Sequence, residues 1–254
     1  MPARVTIDAE GTTKLAYFAR DNAGNAEPPR TLTINLDKTE PQITVPADIT
    51  TMATGAGGAA VEFNVTATDK LDGDLPVSYE TESGPVISGD TFPPGTTTVT
   101  VTAVDRAGNT AVASFNVTVR YDFQGFFRPV NNPGPGPDFV VNRARAGSAI
   151  PVKFSLGGNL GTTIPEIFAE SPNSTPDHPL YYPVSRQIPA DSGATIDPVE
   201  ETVTADSSGL SYDPLTGQYE YVWKTNKAWA GQDRELILKL ADGTEHTALF
   251  RFVK

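Results

Sequence analysis

The tract Thr12–Asn25, TTKLAYFARDNAGN, returns 84 positions later as Thr96–Asn109, TTTVTVTAVDRAGN. Repetition fixes the unit from which a chain is built, and this unit is a β structure. In Lys14–Arg20 and Thr97–Asp105 apolar or small residues alternate with polar ones, the period of a half-buried strand. Val99, Val101 and Ala103 fall on one face, and Thr98, Thr100 and Thr102 on the other. Each run ends in D-x-x-G-N, and a second alternating run follows: Leu32, Ile34, Leu36 in one copy and Phe115, Val117, Val119 in the other. Strand, turn and strand make a hairpin. Its glycine supplies the positive φ, and the Asp and Asn side chains satisfy turn amides; a functional reading would make Asp21 and Asp105 calcium ligands, but the turn alone accounts for them. The second copy has residues 38–95 ahead of it, the first only Met1–Gly11. The first module is therefore expected to be the C-terminal half of a unit that begins outside this chain.

Asp37-Lys-Thr-Glu-Pro41 follows the first hairpin as a short hinge stiffened by proline. Beyond it, Ile43–Ile49, Val61–Ala67 and Val77–Tyr79 read as strands, with turns at Thr54–Ala59, Asp69–Asp74 and Phe92–Gly95. Short strands at this spacing predict an immunoglobulin-like β-sandwich. The motifs VPADIT (Val45–Thr50), ATD (Ala67–Asp69) and FPPGTTTVTVTAVDRAGN (Phe92–Asn109) resemble a hyalin repeat, or HYR domain, over Pro41–Val119. That resemblance implies an extracellular module of adhesion and spacing, without catalysis. It also places Tyr79 and Val101 where the family often carries a cysteine pair. Ala3–Leu36, through EGTT…ARDNAGN, resembles the C-terminal half of bacterial surface immunoglobulin-like repeats.

The remainder of the chain does not repeat. Phe126–Pro137, FFRPVNNPGPGP, has the composition of a linker, and strand-like runs follow at Ile150–Leu156, Gln218–Thr225, Arg234–Leu240 and Thr247–Val253. Pro151 cannot donate to a ladder, so the first of these is expected at an edge or to begin near Pro151. AGSAIPVKFSLGGN (Ala146–Asn159), PVEETVTA (Pro198–Ala205), LSYDPLTGQYEYVWKTNKAWAG (Leu210–Gly231) and LILKLADGTEHTALFRF (Leu236–Phe252) resemble the PxKF domain of bacterial secreted proteins. The likeness runs from about Phe123 to the end, so the apparent linker becomes the start of this domain. It implies that cysteines are replaced near Ala190 and Asp233, and that Glu170–Val184 is an insertion. The expected fold is all-β: a partial immunoglobulin-like module at 1–37, an HYR-like sandwich at 38–120, and a PxKF-like β domain at 121–254.

A net charge of −12, spread over all three segments, argues against binding a phosphate backbone, which needs a basic stripe. The absence of cysteine excludes disulfides, thiolate metal sites and thiol nucleophiles. No apolar run approaches the roughly 18 residues of a spanning helix, so membrane insertion is not expected. With two histidines, His178 and His246, and no nucleophile-elbow or phosphate-loop pattern, no catalytic site is expected. Glu200–Glu201 reads as a solvated pair.

Calcium is the sharper chemistry. Asp69-Lys-Leu-Asp72-Gly-Asp74 gathers three carboxylates in one loop, the oxygen-rich setting of a hard cation. A variant places the ion at the hinge, on Asp37 and Glu40. Carbohydrate recognition would need exposed aromatic faces. Tyr219, Tyr221 and Trp223 share a strand face and read as packing, whereas Trp229, Tyr181 and Tyr182 are placed for exposure and for ligand contact. These readings point to a non-catalytic extracellular array, a stalk or spacer in a larger bacterial secreted or cell-surface protein. Its partners would be the other modules of the parent chain, or an extracellular polymer or cell-surface glycan. The alternative is a polysaccharide-binding accessory module of a secreted enzyme.

Overall fold

The computed structural model describes residues 4–132, 140–172, 175, 180–189, 195–199 and 209–254. The chain forms two compact units: Met1–Ala47, Glu62–Ser88 and Thr98–Asn116 in one, Asp48–Val61, Gly89–Thr97 and Val117–Lys254 in the other.

The first unit opens with β1 (Gly11–Tyr17) and β2 (Arg30–Leu36), antiparallel from Gly11↔Leu36 to Tyr17↔Arg30. The repeat is legible atom by atom in its turns. Asp21 N–H donates to Asn25 O (2.9 Å) and Asp105 N–H to Asn109 O (3.1 Å). In each turn the Asn side chain donates to the Asp carboxylate, at 2.9 and 2.7 Å. Gly24 and Gly108 adopt φ of 93° and 94°, the left-handed conformation that only glycine reaches without strain.

Ahead lie β3 (Gln42–Thr44), β4 (Ile49–Met52), β5 (Ala59–Ala60), β6 (Thr66–Asp69), β7 (Gly73–Leu75), β8 (Val77–Thr81), β9 (Gly84–Pro85) and β10 (Thr91–Phe92). The repeated hairpin follows as β11 (Gly95–Val104) and β12 (Thr110–Arg120). One sheet has the order β3-β6-β7, the other β4-β12-β11-β8-β9, and β5 pairs with β10. This is the immunoglobulin-like sandwich. The run Ile43–Ile49 is not one strand: β3 pairs with β6, while β4 pairs in parallel with β12. Pro46 sits in the break, where the chain changes sheets and a missing N–H costs nothing. Of Val61–Ala67 only the end becomes strand, and the Phe63 amide donates instead to Ser88 Oγ at 2.8 Å. Val99, Val101 and Ala103 are buried as the alternation requires, and Phe63 meets Tyr79 and Phe115 edge-on at 5.2 and 5.1 Å. Tyr79 and Val101 stand directly opposite across β8 and β11, and packing joins the pair where the resemblance places a cysteine bridge.

The C-terminal part of the second unit holds β13 (Gln124–Phe127), β14 (Val140–Arg145), β15 (Ala149–Ser155), a short helix α1 (Ile164–Ile167), β16 (Val184–Ile188) and β17 (Thr195–Pro198). It continues with β18 (Leu210–Asp213), β19 (Gln218–Lys224), β20 (Asp233–Lys239) and β21 (Glu245–Val253). Its sheets run β13-β15-β19-β18 and β16-β20-β21-β14-β17. The strand with Pro151 is interior in order, but β13 meets it only at Lys153 and Ser155, so Pro151 has an open side. Phe154 and Tyr219 stack at 5.5 Å, and Trp223 meets Phe250 at 5.0 Å in the shared core. At Asp233, one of the positions likened to cysteine, a carboxylate takes two hydrogen bonds from Arg251 (2.9 and 2.7 Å). Ala190 lies outside the described residues.

Candidate functional site

The three aspartates expected to hold a cation part company. Asp69 ends β6, and its Oδ1 accepts the amides of Leu71 (2.7 Å) and Asp72 (2.9 Å), folding the loop over itself. Asp72 turns away: its carboxylate accepts the Arg106 amide at 2.8 Å and faces the Arg106 guanidinium at 3.6 Å. Asp74 lies exposed on β7, opposite Thr68.

Asp69 gathers instead with residues far away in sequence. One carboxylate oxygen each from Asp37, Asp69 and Asp105 lies within 4.8 Å of the others. Asp37 comes from the hinge after β2, Asp69 from the end of β6, and Asp105 from the turn between β11 and β12. Asp69 and Asp105 are buried, with 8% and 6% of their surface exposed, and Asp37 is half-buried. Among the described residues no lysine or arginine pairs with any of the three. Asp69 Oδ2, shut off from solvent, has no hydrogen-bond partner at all.

The remaining oxygens are organised. Asp105 Oδ1 accepts the Asn109 amide at 2.8 Å, and Asp37 Oδ1 accepts the Thr39 amide at 3.1 Å. The amides of Asp72 and Leu71 hold the Asp69 carboxyl below the usual range, against burial and the charge of Asp105. Burial pushes Asp105 up, but the side chain and amide of Asn109 outweigh it and the net shift is downward. At neutral pH these two carboxylates are therefore charged, side by side and partly desolvated. Glu40, the other hinge candidate, is exposed beside a cleft of about 270 Å³ that it shares with Asp69 and Lys70.

The hinge is fastened to the first hairpin by Glu10. Its Oε1 accepts the Lys38 amide at 2.7 Å and its Oε2 the Thr39 hydroxyl at 2.8 Å. Lys38 Nζ adds a bond to Asp8 O at 3.3 Å. Asp37, Asp69 and Asp105 are each legible singly in the sequence, as hinge, loop and turn residues. The strand register that joins hinge, loop and turn leaves no trace in local spacing.

The aromatic candidates are less open than expected. Tyr181, Tyr182 and Trp229 are each half-buried against the C-terminal core. Trp229 lies 5.5 Å from Phe252 and has the Arg234 guanidinium over its ring at 4.2 Å, so packing already engages this ring. Tyr219 and Trp223 are buried core residues. Of the histidines, His246 stacks on Phe123 at 3.5 Å with Nε2 3.3 Å from Thr244 Oγ1. His178 and Glu200–Glu201 lie outside the described residues. Among the described residues no helix is long and apolar enough to cross a membrane.

Residues 36–119 match the HYR domain family. Two hyalins share the signal. That of Strongylocentrotus purpuratus is 34% identical over 114 residues, 43% of this chain and 9% of the hyalin. That of Lytechinus variegatus is 37% identical over 115 residues, 43% of this chain and 21% of the hyalin. The chain thus spans a small part of the relatives it matches. Among solved structures, a Bacteroides ovatus glucan-utilization protein, SGBP-B in complex with a mixed-linkage heptasaccharide, is 12% identical with a TM-score of 0.26, over 85% of this chain and 48% of that one. The Ig1-2 module of the Drosophila receptor tyrosine phosphatase DLAR is 11% identical with a TM-score of 0.26, over 85% of this chain and all of that one. At these TM-scores neither transfers a ligand or a partner.

Proposed function

We propose that this chain is a non-catalytic segment of a larger extracellular protein, a bacterial surface or secreted protein in which tandem β modules act as an adhesive spacer. Its modules follow 1–37, 38–120 and 121–254, the last of the PxKF kind. The carrying observation is how the HYR module is entered. A hinge of five residues ends in proline, and Glu10 bonds to it on the hairpin side, so little backbone is left free to bend. A spacer needs this property, because its reach is set by the stiffness of its junctions. The HYR match and the hyalin relatives support reading the module as one of the adhesion type. The use of His246 as a packing surface for Phe123 favours a structural role over proton transfer.

A pull-down of the 254-residue chain on insoluble polysaccharides tests this reading. No retention on any polymer is expected of a spacer. Retention that is lost on changing Trp229, Tyr181 or Tyr182 to alanine would replace it with a polysaccharide-binding accessory module.

A further inference from the structure

We propose that Asp37, Asp69 and Asp105 bind one Ca²⁺ ion, which ties the hinge after β2 to the β6 and β11–β12 loops of the HYR module. Two independent observations meet here. The first is convergence: three carboxylate oxygens lie within 4.8 Å, and two oxygens on one Ca²⁺, each at 2.3–2.6 Å, stand no more than about 5 Å apart. The second is an orphan. Asp69 Oδ2 is shielded from water and unpartnered, on a side chain more than nine-tenths buried. A buried polar atom without a partner is rare in a folded protein and calls for an explanation, an ion among them. A carboxylate oxygen can be satisfied only by a donor or a cation, and no lysine or arginine among the described residues pairs with these three groups.

The chemistry selects the ion. All three side-chain donors are oxygen, and the chain has no cysteine, so soft metals have nothing to prefer. The donors come from a hinge, a loop and a turn, and backbone carbonyls and water can complete a shell of six to eight oxygens of loose geometry. Mg²⁺ demands a near-ideal octahedron and gives up its water reluctantly. Extracellular modules bind Ca²⁺ with Kd on the order of 10⁻⁴–10⁻³ M, and three carboxylates fit that range. The Arg106–Asp72 contact fixes the neighbouring loop without spending any of the three donors.

The site stands apart from the spacer reading, since binding is measured on the chain alone. The test is calcium titration of the EDTA-dialysed 254-residue chain by calorimetry. One ion per chain is expected, with Kd of about 0.1–1 mM, together with a rise in melting temperature at 10 mM CaCl₂. Asp69→Asn and Asp37→Asn should each weaken binding at least tenfold. Asp37 lies in the half-buried hinge, so Asp37→Asn keeps the test valid if Asp69→Asn fails to fold. Asp74→Asn should leave binding unchanged. No binding at 10 mM, loss with Asp74→Asn alone, or equal affinity for MgCl₂ would each overturn the proposal.

Discussion

Tyr219 offers a quantitative test of how the C-terminal core is built. Its ring is fully buried and stacks on Phe154, and its hydroxyl does two jobs. It accepts the Leu160 amide at 2.7 Å and donates to Gly161 O at 3.0 Å. Burial pushes the phenol pKa up, so the hydroxyl stays protonated and both bonds persist through the neutral range. Tyr219→Phe keeps the ring and removes only the oxygen. The Leu160 amide, on a residue 3% exposed, is then left without a partner, at a cost of about 1–3 kcal/mol. Gly161 is half-exposed and its carbonyl can turn to water, adding about 0.5 kcal/mol. The sum, about 1.5–3.5 kcal/mol, corresponds to a fall of about 3–14 °C in Tm. Both tryptophans, Trp223 and Trp229, belong to this core, so fluorescence-detected urea unfolding reports it selectively. Tyr221→Phe is the control, because the half-buried Tyr221 hydroxyl has no such partner among the described residues and its loss should cost less than about 0.5 kcal/mol. If Tyr219→Phe matches this control, the Leu160 amide is reached by water and the loop after β15 is not held by the tyrosine.

Gly58 has φ of 108°, and a Cβ there would stand 1.8 Å from Phe92 O, a backbone atom that cannot move aside. Gly58→Ala should therefore cost at least about 2 kcal/mol and lower the calorimetric Tm of the sandwich; an unchanged Tm would show that the β5–β10 pairing is loose. Burial depresses the pKa of His246 against the opposing charges of Asp242 and Glu245. The folded state thus disfavours the imidazolium. The related stability should be fully present above about pH 6.5 and decline as pH falls through the lower folded value. Urea midpoints at pH 7.5 and 5.5 should separate for the parent chain and converge for His246→Phe, and an equal decline in both would move the effect to other groups.

The hairpins were legible because their information is local. Alternation specifies which side chains are buried, and D-x-x-G-N specifies the turn, as the matching bonds of Asp21 and Asp105 show. Ile43–Ile49 misled because alternation says nothing of a change of sheet, and the same pattern feeds β3 and β4 in two different ladders. Likewise the parallel pairing of β14 with β21 joins residues about a hundred positions apart. The acidic cluster shows the limit most clearly. Asp69, Asp72 and Asp74 looked like a set because they are close in sequence. Folding sends Asp72 to Arg106 and brings in Asp37 and Asp105, each legible alone as hinge or turn chemistry. The aromatics differ in the opposite sense: a tryptophan beside a glycine reads as open, whereas Trp229 is half-buried with Arg234 over its ring and Phe252 beside it.

The stiffness of the hinge can be measured directly, because a chain without cysteine accepts spin labels only where they are introduced. Thr33→Cys on β2 and Glu82→Cys after β8 are exposed positions on either side of Asp37–Pro41. Pulsed electron–electron dipolar spectroscopy in CaCl₂ should give a single narrow distance population between them. A broad distribution, as from a freely bending linker, would contradict a spacer built on this junction.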